Sequence, residues 1–339
     1  MAYPYNAAIP SQDEMLRFTQ SEAAALAYMV NNFGFHVDEV CQVETDGVQC
    51  EGHMHIHKSI FFRRCGSCRR TVSIKAHTFF QRCHLPINLI LEFIYLVVGR
   101  NCTWSFLKSR FQWADDTITM WMRFVDELIV NDWDSLPIGD KMIGGPGYVV
   151  QIDESKFGKT HPGGGGHVHP VEGVWVFGGI EVPIPGSDVP NREQFFAVPV
   201  LHRSRETLMP LVQQFVKAGS IIHCDGWAAY HVPTLMEMGM AGVSSVNHSE
   251  NFVNPITNVH TNHIECLWGV LKGRIPKQHY NNVVIEAECI KFNWHRRFHN
   301  EKWDRIMRAI CRAYYPYYAL LCLTELCMYY RTSLFLFIH

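Results

Sequence analysis

Three acidic side chains lie at the ends of two predicted strands and at the border of a predicted helix. Asp153 ends the apolar run YVVQID, Asp225 ends SIIHCD, and Glu265 lies within HTNHIECLWGVLKGRI. Acids are poor core residues and poor strand formers, so these positions need a reason. Adjacent parallel strands would bring the two aspartates to one sheet edge, where they repel each other unless a cation lies between them. Three carboxylates suit Mg²⁺ or Mn²⁺, and two such ions predict phosphodiester chemistry.

The segment that carries Glu265 has the pattern of an amphipathic helix. Its apolar residues recur with helical spacing and predict one buried face. The residues of this stripe are Ile264, Leu267, Trp268, Leu271 and Ile275. Glu265 and Lys272 are seven residues apart, about two turns, so they lie on one line at the border of that face. A solvated flank with a weak helical charge pair is the alternative interpretation.

The elements that must position these acids form a mixed α/β pattern. Apolar and β-branched runs predict strands at 148–153, in VEGVWVFGGIEV, in FFAVPVL and at 220–225. A helix is predicted from the N-cap Ser204 to the stop at Gly219, a second from about Ala228, and others near 262 and over about 283–299. Strands followed by helices in this order indicate a mixed α/β layer.

A cluster of cysteine and histidine residues in the amino half has the spacing of a zinc site. Cys50-x2-His53 and Cys65-x2-Cys68 form two short turns separated by a hairpin-sized gap. Thiolate and imidazole are the ligands that tetrahedral zinc prefers, so we expect a structural zinc ribbon. The competing ligands for the first turn are Cys41, His55 and His57. Buried free cysteines with exposed histidines are the alternative.

Charge is distributed unevenly along a chain whose net charge is only −2. Residues 52–110 hold ten Lys or Arg against one acid, and residues 272–312 hold ten against four. Two basic blocks indicate a polyanion partner. Residues 86–133 predict three helices with the lengths of a helix-turn-helix unit. Acids on the third helix argue against a simple recognition helix, so packing without DNA contact is the alternative.

The cellular setting follows from the cysteines and the apolar runs. The chain has twelve Cys and no signal peptide, which indicates an intracellular, reducing compartment and metal ligands rather than disulfides. No uncharged apolar run reaches the roughly 20 residues of a membrane span. The hydrophobic tail, 313–339, comes closest and is interrupted by Glu325 and Arg331.

Five blocks of the carboxyl half resemble those of a known enzyme family. QIDESKFGK, VEGVWVFGGIE, HCDGWAAY, VNHSENFVN and HTNHIECLWGVLK are similar to the successive blocks of DDE/D transposases of the Merlin type and of related bacterial insertion sequences. The resemblance runs from about Ile143 to Phe298. It implies an RNase H-like core, a mixed five-stranded sheet with flanking helices.

The resemblance also implies roles for individual residues. Asp153, Asp225 and Glu265 would bind two Mg²⁺ or Mn²⁺ ions, and Lys272 would contact phosphate or the cleaved end. Some relatives use an Asn as the third ligand, so Asn262 is a second candidate beside Glu265. The candidate DNA contacts are Arg63, Arg64, Arg69, Arg70, Lys159 and Arg274.

These inferences define the expected protein. We expect a helical segment (1–40), a zinc ribbon (41–84), a helix-turn-helix-like region (85–138), a catalytic domain (143–312) and the tail.

We expect a DNA transposase that cuts at terminal repeats and joins the ends to target DNA, as a homo-oligomer in a synaptic complex. It would be nuclear in a eukaryotic host. The alternatives are a domesticated, non-catalytic DNA-binding protein derived from a transposase and a nuclease without strand transfer.

Overall fold

The structure is a computed structural model that describes residues 9–35, 40–41, 43–45, 47–158, 173–225, 229–246, 260–275 and 281–312. The chain divides into two compact units. The first contains Met1–Leu128 and Asn300–His339, and the second contains Ile129–His299. The tail (313–339) lies outside the described residues.

Helices and short strands succeed one another along the described part of the chain. The helices are α1 (Gln12–Thr19), α2 (Glu22–Phe33), α3 (Ile87–Ile94), α4 (Trp104–Phe111), α5 (Asp115–Asp134), α6 (Ile138–Lys141), α7 (Arg205–Phe215), α8 (Val232–Glu237), α9 (Asn262–Arg274), α10 (Asn282–Arg297) and α11 (Lys302–Arg312). The strands are β1 (Glu44–Thr45), β2 (Val48–Gln49), β3 (Met54–His57), β4 (Ser59–Cys65), β5 (Thr71–Ser73), β6 (Ile143–Gly144), β7 (Tyr148–Phe157), β8 (Val174–Pro183), β9 (Phe195–Val200), β10 (Val216–Lys217), β11 (Ile221–Asp225) and β12 (Gly242–Val246). A π-helical turn (Tyr95–Gly99) follows α3.

The first unit combines two small sheets with a group of helices. β1 and β2 form one hairpin, and β3, β4 and β5 form an antiparallel meander. The three helices expected over 86–133 are α3, α4 and α5, and Thr103 caps α4 by accepting a hydrogen bond from the Phe106 N–H. The order of ribbon-like strands and three helices is therefore the predicted one.

Helix α11 packs within the first unit, although residues up to 312 are expected in the catalytic domain. Its buried face includes Trp303 and Ile306. The Trp303 Nε1 donates a hydrogen bond to the Tyr28 hydroxyl at 2.8 Å, and its ring stacks on Phe18 with centroids 5.7 Å apart. A periodic apolar face predicts burial but does not name the surface that covers it.

The second unit is built around a five-stranded sheet in the order β12-β11-β7-β8-β9. β12, β11 and β7 are parallel, whereas β8 and β9 continue from β7 as an antiparallel meander. β7 and β8 are ten residues long and mostly buried, because helices cover both faces. This mixed sheet with flanking helices fits the RNase H-like transposase core that the resemblance implies.

Each face of this sheet has its own core, since side chains alternate between the faces of a strand. On one face Val150 and Ile152 of β7 pack in a cluster with buried residues of α7 and α8. On the other, which we call the α9 face, Phe157 of β7 packs with buried residues of α9 and α10. Odd-numbered side chains of β7 therefore point towards α9, and even-numbered ones point away from it.

Two helix boundaries differ from the sequence-based prediction. A single helix is expected up to Gly219, but α7 ends at Phe215. The next two residues form β10, which pairs in parallel with β6. Strand pairing therefore takes residues that local periodicity assigns to the helix. α8 begins at Val232, whereas a helix is predicted from about Ala228, which lies outside the described residues.

Candidate active site and candidate zinc centre

The two strand-end aspartates lie on neighbouring parallel strands. β11 pairs with β7 in a register that runs from Ile221 opposite Val149 to His223 opposite Gln151. Asp225 and Asp153 follow two residues later on each strand. Side chains two residues apart share a face, so both aspartates point to the α9 face.

Asp153 is held by an indole from α9. The Trp268 Nε1 donates a hydrogen bond to the Asp153 Oδ2 at 2.9 Å. Gly178 is the partner of Asp153 on β8, and a Cβ there would lie only 2.6 Å from the Trp268 ring. The absence of a side chain at Gly178 thus lets the indole lie against the sheet beside the carboxylate. The sequence pattern identifies Trp268 only as part of the apolar stripe.

The electrostatics of Asp153 show that the other two acids are near it. Burial raises the pKa of Asp153 to about 6, the Trp268 hydrogen bond opposes this rise, and the negative charges of Asp225 and Glu265 add to it. A cation among the carboxylates would favour their ionised forms. The three carboxylates repel one another and supply hard oxygen ligands, which are the kind that Mg²⁺ and Mn²⁺ prefer.

Glu265 reaches the site from the first turn of α9. Its side chain is exposed, and its Oε1 accepts a hydrogen bond from the Thr261 hydroxyl at 3.1 Å. Asn262 is the first residue of α9, three residues before Glu265, and is also exposed. The two candidates for the third ligand therefore lie on neighbouring positions of the same turn.

Lys272 lies further along α9 and is half-buried. Its Nζ is 5.3 Å from the centroid of the Phe157 ring. Burial lowers the pKa of Lys272, and the charge of Asp153 opposes this change. The ammonium group is thus within electrostatic reach of the acids, on the line that Glu265 and Lys272 share along the helix.

A fourth acid, which sequence reasoning missed, follows Asp153 and points to the opposite face. The Tyr230 hydroxyl donates a hydrogen bond to the Glu154 Oε1, and an Arg203 Nη1 lies 3.7 Å from the Oε2. Burial raises the pKa of Glu154 to about 7, the Tyr230 hydrogen bond opposes the rise, and the charges of Asp225 and Asp153 add to it. Glu154 therefore links β7 to Tyr230, which lies five residues after Asp225.

The four cysteines of the ribbon converge. The Sγ atoms of Cys41, Cys50, Cys65 and Cys68 all lie within 4.8 Å of one another. The Cys41–Cys68 and Cys50–Cys65 Sγ pairs are each 3.7 Å apart. Tetrahedral zinc with bonds of about 2.3 Å sets sulfur atoms roughly 3.8 Å apart. The cluster therefore has the donors and the size of a Cys₄ zinc site and is compatible with a zinc ribbon.

Cys41 takes the place that the sequence spacing assigns to His53. Val40 and His53 form an isolated antiparallel bridge, and the Cys41 N–H donates to the Gly52 carbonyl at 2.8 Å. The His53 carbonyl accepts from the Gly66 N–H at 2.9 Å while its side chain is exposed. The geometry therefore favours the alternative ligand Cys41 over His53, because this bridge brings Cys41 beside the other three cysteines.

Backbone amides support the thiolate form of Cys65. The N–H groups of Ser67 and Cys68 donate to the Cys65 Sγ at 3.3 and 3.4 Å. Burial raises the pKa of Cys65, but these backbone hydrogen bonds, together with the side chains of Cys68 and Cys50, outweigh it and bring the pKa to about 6. At Gly52 a Cβ would lie 2.6 Å from the same sulfur, so this turn requires glycine.

The predicted DNA contacts differ in their surroundings. Arg64, Arg69 and Arg70 are exposed on the ribbon, and the Arg64 Nε donates to the Arg69 carbonyl at 3.1 Å. Arg63 is half-buried. Arg274 has its Nε 3.8 Å from a Glu288 carboxylate, so it already has a partner in the protein. The remaining candidate, residue 159, lies outside the described residues.

Comparison with known proteins finds a match within the second unit. Residues 174–283 match the family model of the ISXO2-like transposase domain. The matched segment includes Asp225, Glu265 and Lys272 and begins after Asp153. A comparison with curated proteins finds no match.

Among the described helices, none combines the length and apolar character needed to cross a membrane.

A transposase domain implies DNA binding, suggests a DNA-cleaving enzyme, and is typical of proteins that depend on divalent metal ions. The α9 face, with its three carboxylates, and the Cys₄ cluster are compatible with that assignment. The match therefore supports a DDE transposase family for the segment 174–283.

Proposed function

We propose that this chain is a transposon-encoded DNA transposase that cleaves strands at terminal repeats and joins the freed ends to target DNA. The observation that carries the proposal is that Asp153 and Asp225 lie on neighbouring parallel strands and face α9, the helix that carries Glu265 and Lys272. The five sequence blocks around these residues support the Merlin type within the family.

The proposed roles follow from side-chain chemistry. Asp153, Asp225 and Glu265 hold two divalent ions, which supply activation of the attacking oxygen and stabilisation of the leaving oxygen. Trp268 orients the Asp153 carboxylate through its hydrogen bond. The Lys272 ammonium group binds a phosphate oxygen or the cleaved end, since its charge complements the phosphodiester.

The reaction needs no protein nucleophile. In the first step water attacks the phosphorus at the transposon end, the P–O3′ bond breaks, and the leaving oxygen takes a proton to become a 3′-hydroxyl. In the second step that hydroxyl attacks a phosphorus of target DNA, one P–O bond forms, and one P–O3′ bond breaks. The number of phosphodiester bonds is unchanged in the second step, so no external energy source is required.

The amino-terminal unit has a separate role in this proposal. Zinc bound by the four cysteines stabilises the ribbon, and the exposed Arg64, Arg69 and Arg70 bind DNA phosphates. A homo-oligomer would hold two transposon ends in a synaptic complex, and the protein would act in the nucleus if its host is eukaryotic.

The direct test uses labelled duplexes taken from the genomic sequence that flanks the gene. We expect zinc-loaded wild type to cleave and join these duplexes only with Mg²⁺ or Mn²⁺, and Asp225→Asn to do neither. Metal-dependent cleavage that survives Asp225→Asn would contradict the assigned acids. Zinc-dependent binding of the flanking DNA by wild type without cleavage would instead establish the domesticated DNA-binding protein.

A further inference from the structure

The N-cap residue of α9 does not cap its helix. Thr261 occupies this position, is 1% exposed, and makes no side-chain hydrogen bond to the backbone of the first turn. Its hydroxyl instead donates to the Glu265 Oε1 at 3.1 Å. The first N–H groups of a helix have no partner within the helix, so another group must accept from them.

Gln151 supplies that group from the neighbouring strand. Its Oε1 accepts from the N–H groups of His263 at 3.1 Å and Ile264 at 3.4 Å. Gln151 is 2% exposed and precedes Asp153 by two residues on β7, on the same face. A side chain of the strand that carries Asp153 thus caps the helix that carries Glu265.

The orientation of the Gln151 amide is fixed by its surroundings. Backbone N–H groups only donate, so the atom that faces them is the oxygen, and the Nε2 must donate elsewhere. The Nε2 lies 3.1 Å from the Nδ1 of His263 and 3.4 Å from the Nδ1 of His260. Both ends of this buried amide therefore contact the start of α9.

The strand that carries Asp225 contacts the same place. His223 lies opposite Gln151 in the β11–β7 register, on the same face of the sheet and near the backbone of His260. The rings of His260 and His263 stack with centroids 5.2 Å apart. Polar contacts from β7 consequently hold the first turn of α9 beside Asp153, and a polar side chain of β11 faces the same place.

We propose that Gln151 and Thr261 are positioning residues for Glu265. Gln151 caps α9 from the strand, which leaves the Thr261 hydroxyl to hold the Glu265 carboxylate at a fixed distance from Asp153 and Asp225. The inference rests on the proposed function, because it takes Glu265 as the third ligand. It adds two residues that neither touch the ions nor appear among the acids.

Binding of Mn²⁺ to the zinc-loaded full chain, followed by electron paramagnetic resonance of free Mn²⁺, tests this proposal without requiring cleavage. We expect Gln151→Met and Thr261→Val each to weaken Mn²⁺ binding by about tenfold, the lower end of the range for residues that orient metal ligands. In a Glu265→Gln background neither substitution should weaken it further, because both act through that carboxylate.

Asn281→Ala is the matched control. The Asn281 Oδ1 accepts from the Val284 N–H at 3.0 Å and caps α10, a helix of the same unit that carries none of the proposed ligands. This variant should lower the melting temperature as the Gln151 variant does and leave Mn²⁺ binding unchanged.

Three results would overturn the proposal. These are wild-type Mn²⁺ affinity in both variants, an equal loss in Asn281→Ala, and a further loss in the Glu265→Gln background. Failure of the proposed function has a different signature, in which wild type binds Mn²⁺, the variants weaken that binding, and no strand is cleaved.

Discussion

The two candidate metal sites of this protein are assembled in opposite ways. The cysteine cluster draws its four residues from one segment, 41–68, and short turns and backbone hydrogen bonds hold the sulfur atoms. The carboxylates come from β7, β11 and α9, and Asp153 and Glu265 are 265 − 153 = 112 residues apart. The cysteine cluster therefore depends on local structure, whereas the carboxylates depend on the packing of a sheet against a helix.

The two sites also differ in whether a bound metal ion would keep coordination positions free for a substrate. Four sulfur atoms complete the coordination of tetrahedral zinc, so the cysteine cluster has no position for a substrate. Glu265 is exposed, and three carboxylates do not saturate two hard cations, which keep positions for water and phosphate. A closed site stabilises a fold and an open one supports chemistry, so each should respond differently to the same kind of substitution.

The largest effect is expected from breaking the cysteine cluster. Cys65→Ser removes a ligand and should abolish zinc binding and unfold the ribbon, with a loss on the order of several kcal/mol of zinc-coupled folding free energy. His53→Ala is the control, because the His53 side chain lies outside the cluster. Mass spectrometry measures the zinc content of each variant, and circular dichroism measures the folding of the ribbon. Loss of zinc in both variants would instead support the ligand set that the sequence predicts, and zinc retention in Cys65→Ser would refute the cysteine cluster.

Substitution in the carboxylate site should abolish most of the cleavage activity without unfolding the protein. Asp153→Asn should reduce metal-dependent strand cleavage by about 10³-fold, since a lost ligand removes several kcal/mol of transition-state stabilisation. Zinc content and ribbon folding should stay at wild-type levels. Cleavage rates of labelled duplexes, with zinc content measured in parallel, check both statements. A simultaneous loss of zinc would refute the independence of the two sites.

The pH dependence of stability should expose the cost of burying the Asp153 carboxylate beside two other acids. The pKa of Asp153 is raised from 3.8 to about 6 in the folded chain. The folded state therefore binds more protons than the unfolded state between these values, so stability falls as pH rises from about 4 to 6, by roughly 2–3 kcal/mol. Urea unfolding of zinc-loaded protein without Mg²⁺ measures this fall, which Asp153→Asn should reduce. The raised pKa of Glu154 adds a further fall up to about pH 7, which this substitution should leave in place. An unchanged slope in that variant would assign the effect to another group.

A smaller effect is expected from the indole that orients Asp153. Trp268→Phe keeps most of the buried ring and removes the Nε1 donor, so we expect about tenfold slower cleavage, which corresponds to the net value of one hydrogen bond to a charged group. Single-turnover cleavage rates at saturating Mg²⁺ check this. Wild-type rates would show that packing of α9 alone orients the carboxylate.

The sequence predicts those features of both sites that depend on local pattern. Asp153 and Asp225 end apolar runs, and the stripe of α9 recurs with helical spacing, so their positions follow from short segments. Contacts between distant segments do not follow in this way. The capping of α9 by Gln151 depends on tertiary packing, and the backbone bridge between Val40 and His53, which brings Cys41 into the cluster, has no signal in the spacing of the ligands.

The same limit explains the differences in the fold. Local spacing identifies the buried face of α11 but not its packing on Tyr28 and Phe18. It also extends α7 beyond Phe215, where pairing of β10 with β6 ends the helix. Glu154 carried no signal in the sequence, because its partner Tyr230 is distant along the chain.

The decisive measurement is strand cleavage and joining of the flanking-sequence duplexes by wild type, Glu265→Gln and Asn262→Ala side by side in Mn²⁺. We expect wild type and Asn262→Ala to cleave and join, and Glu265→Gln to do neither while still binding zinc. Full activity of Glu265→Gln with loss in Asn262→Ala would refute the proposed carboxylate site and transfer the third ligand to the first residue of α9.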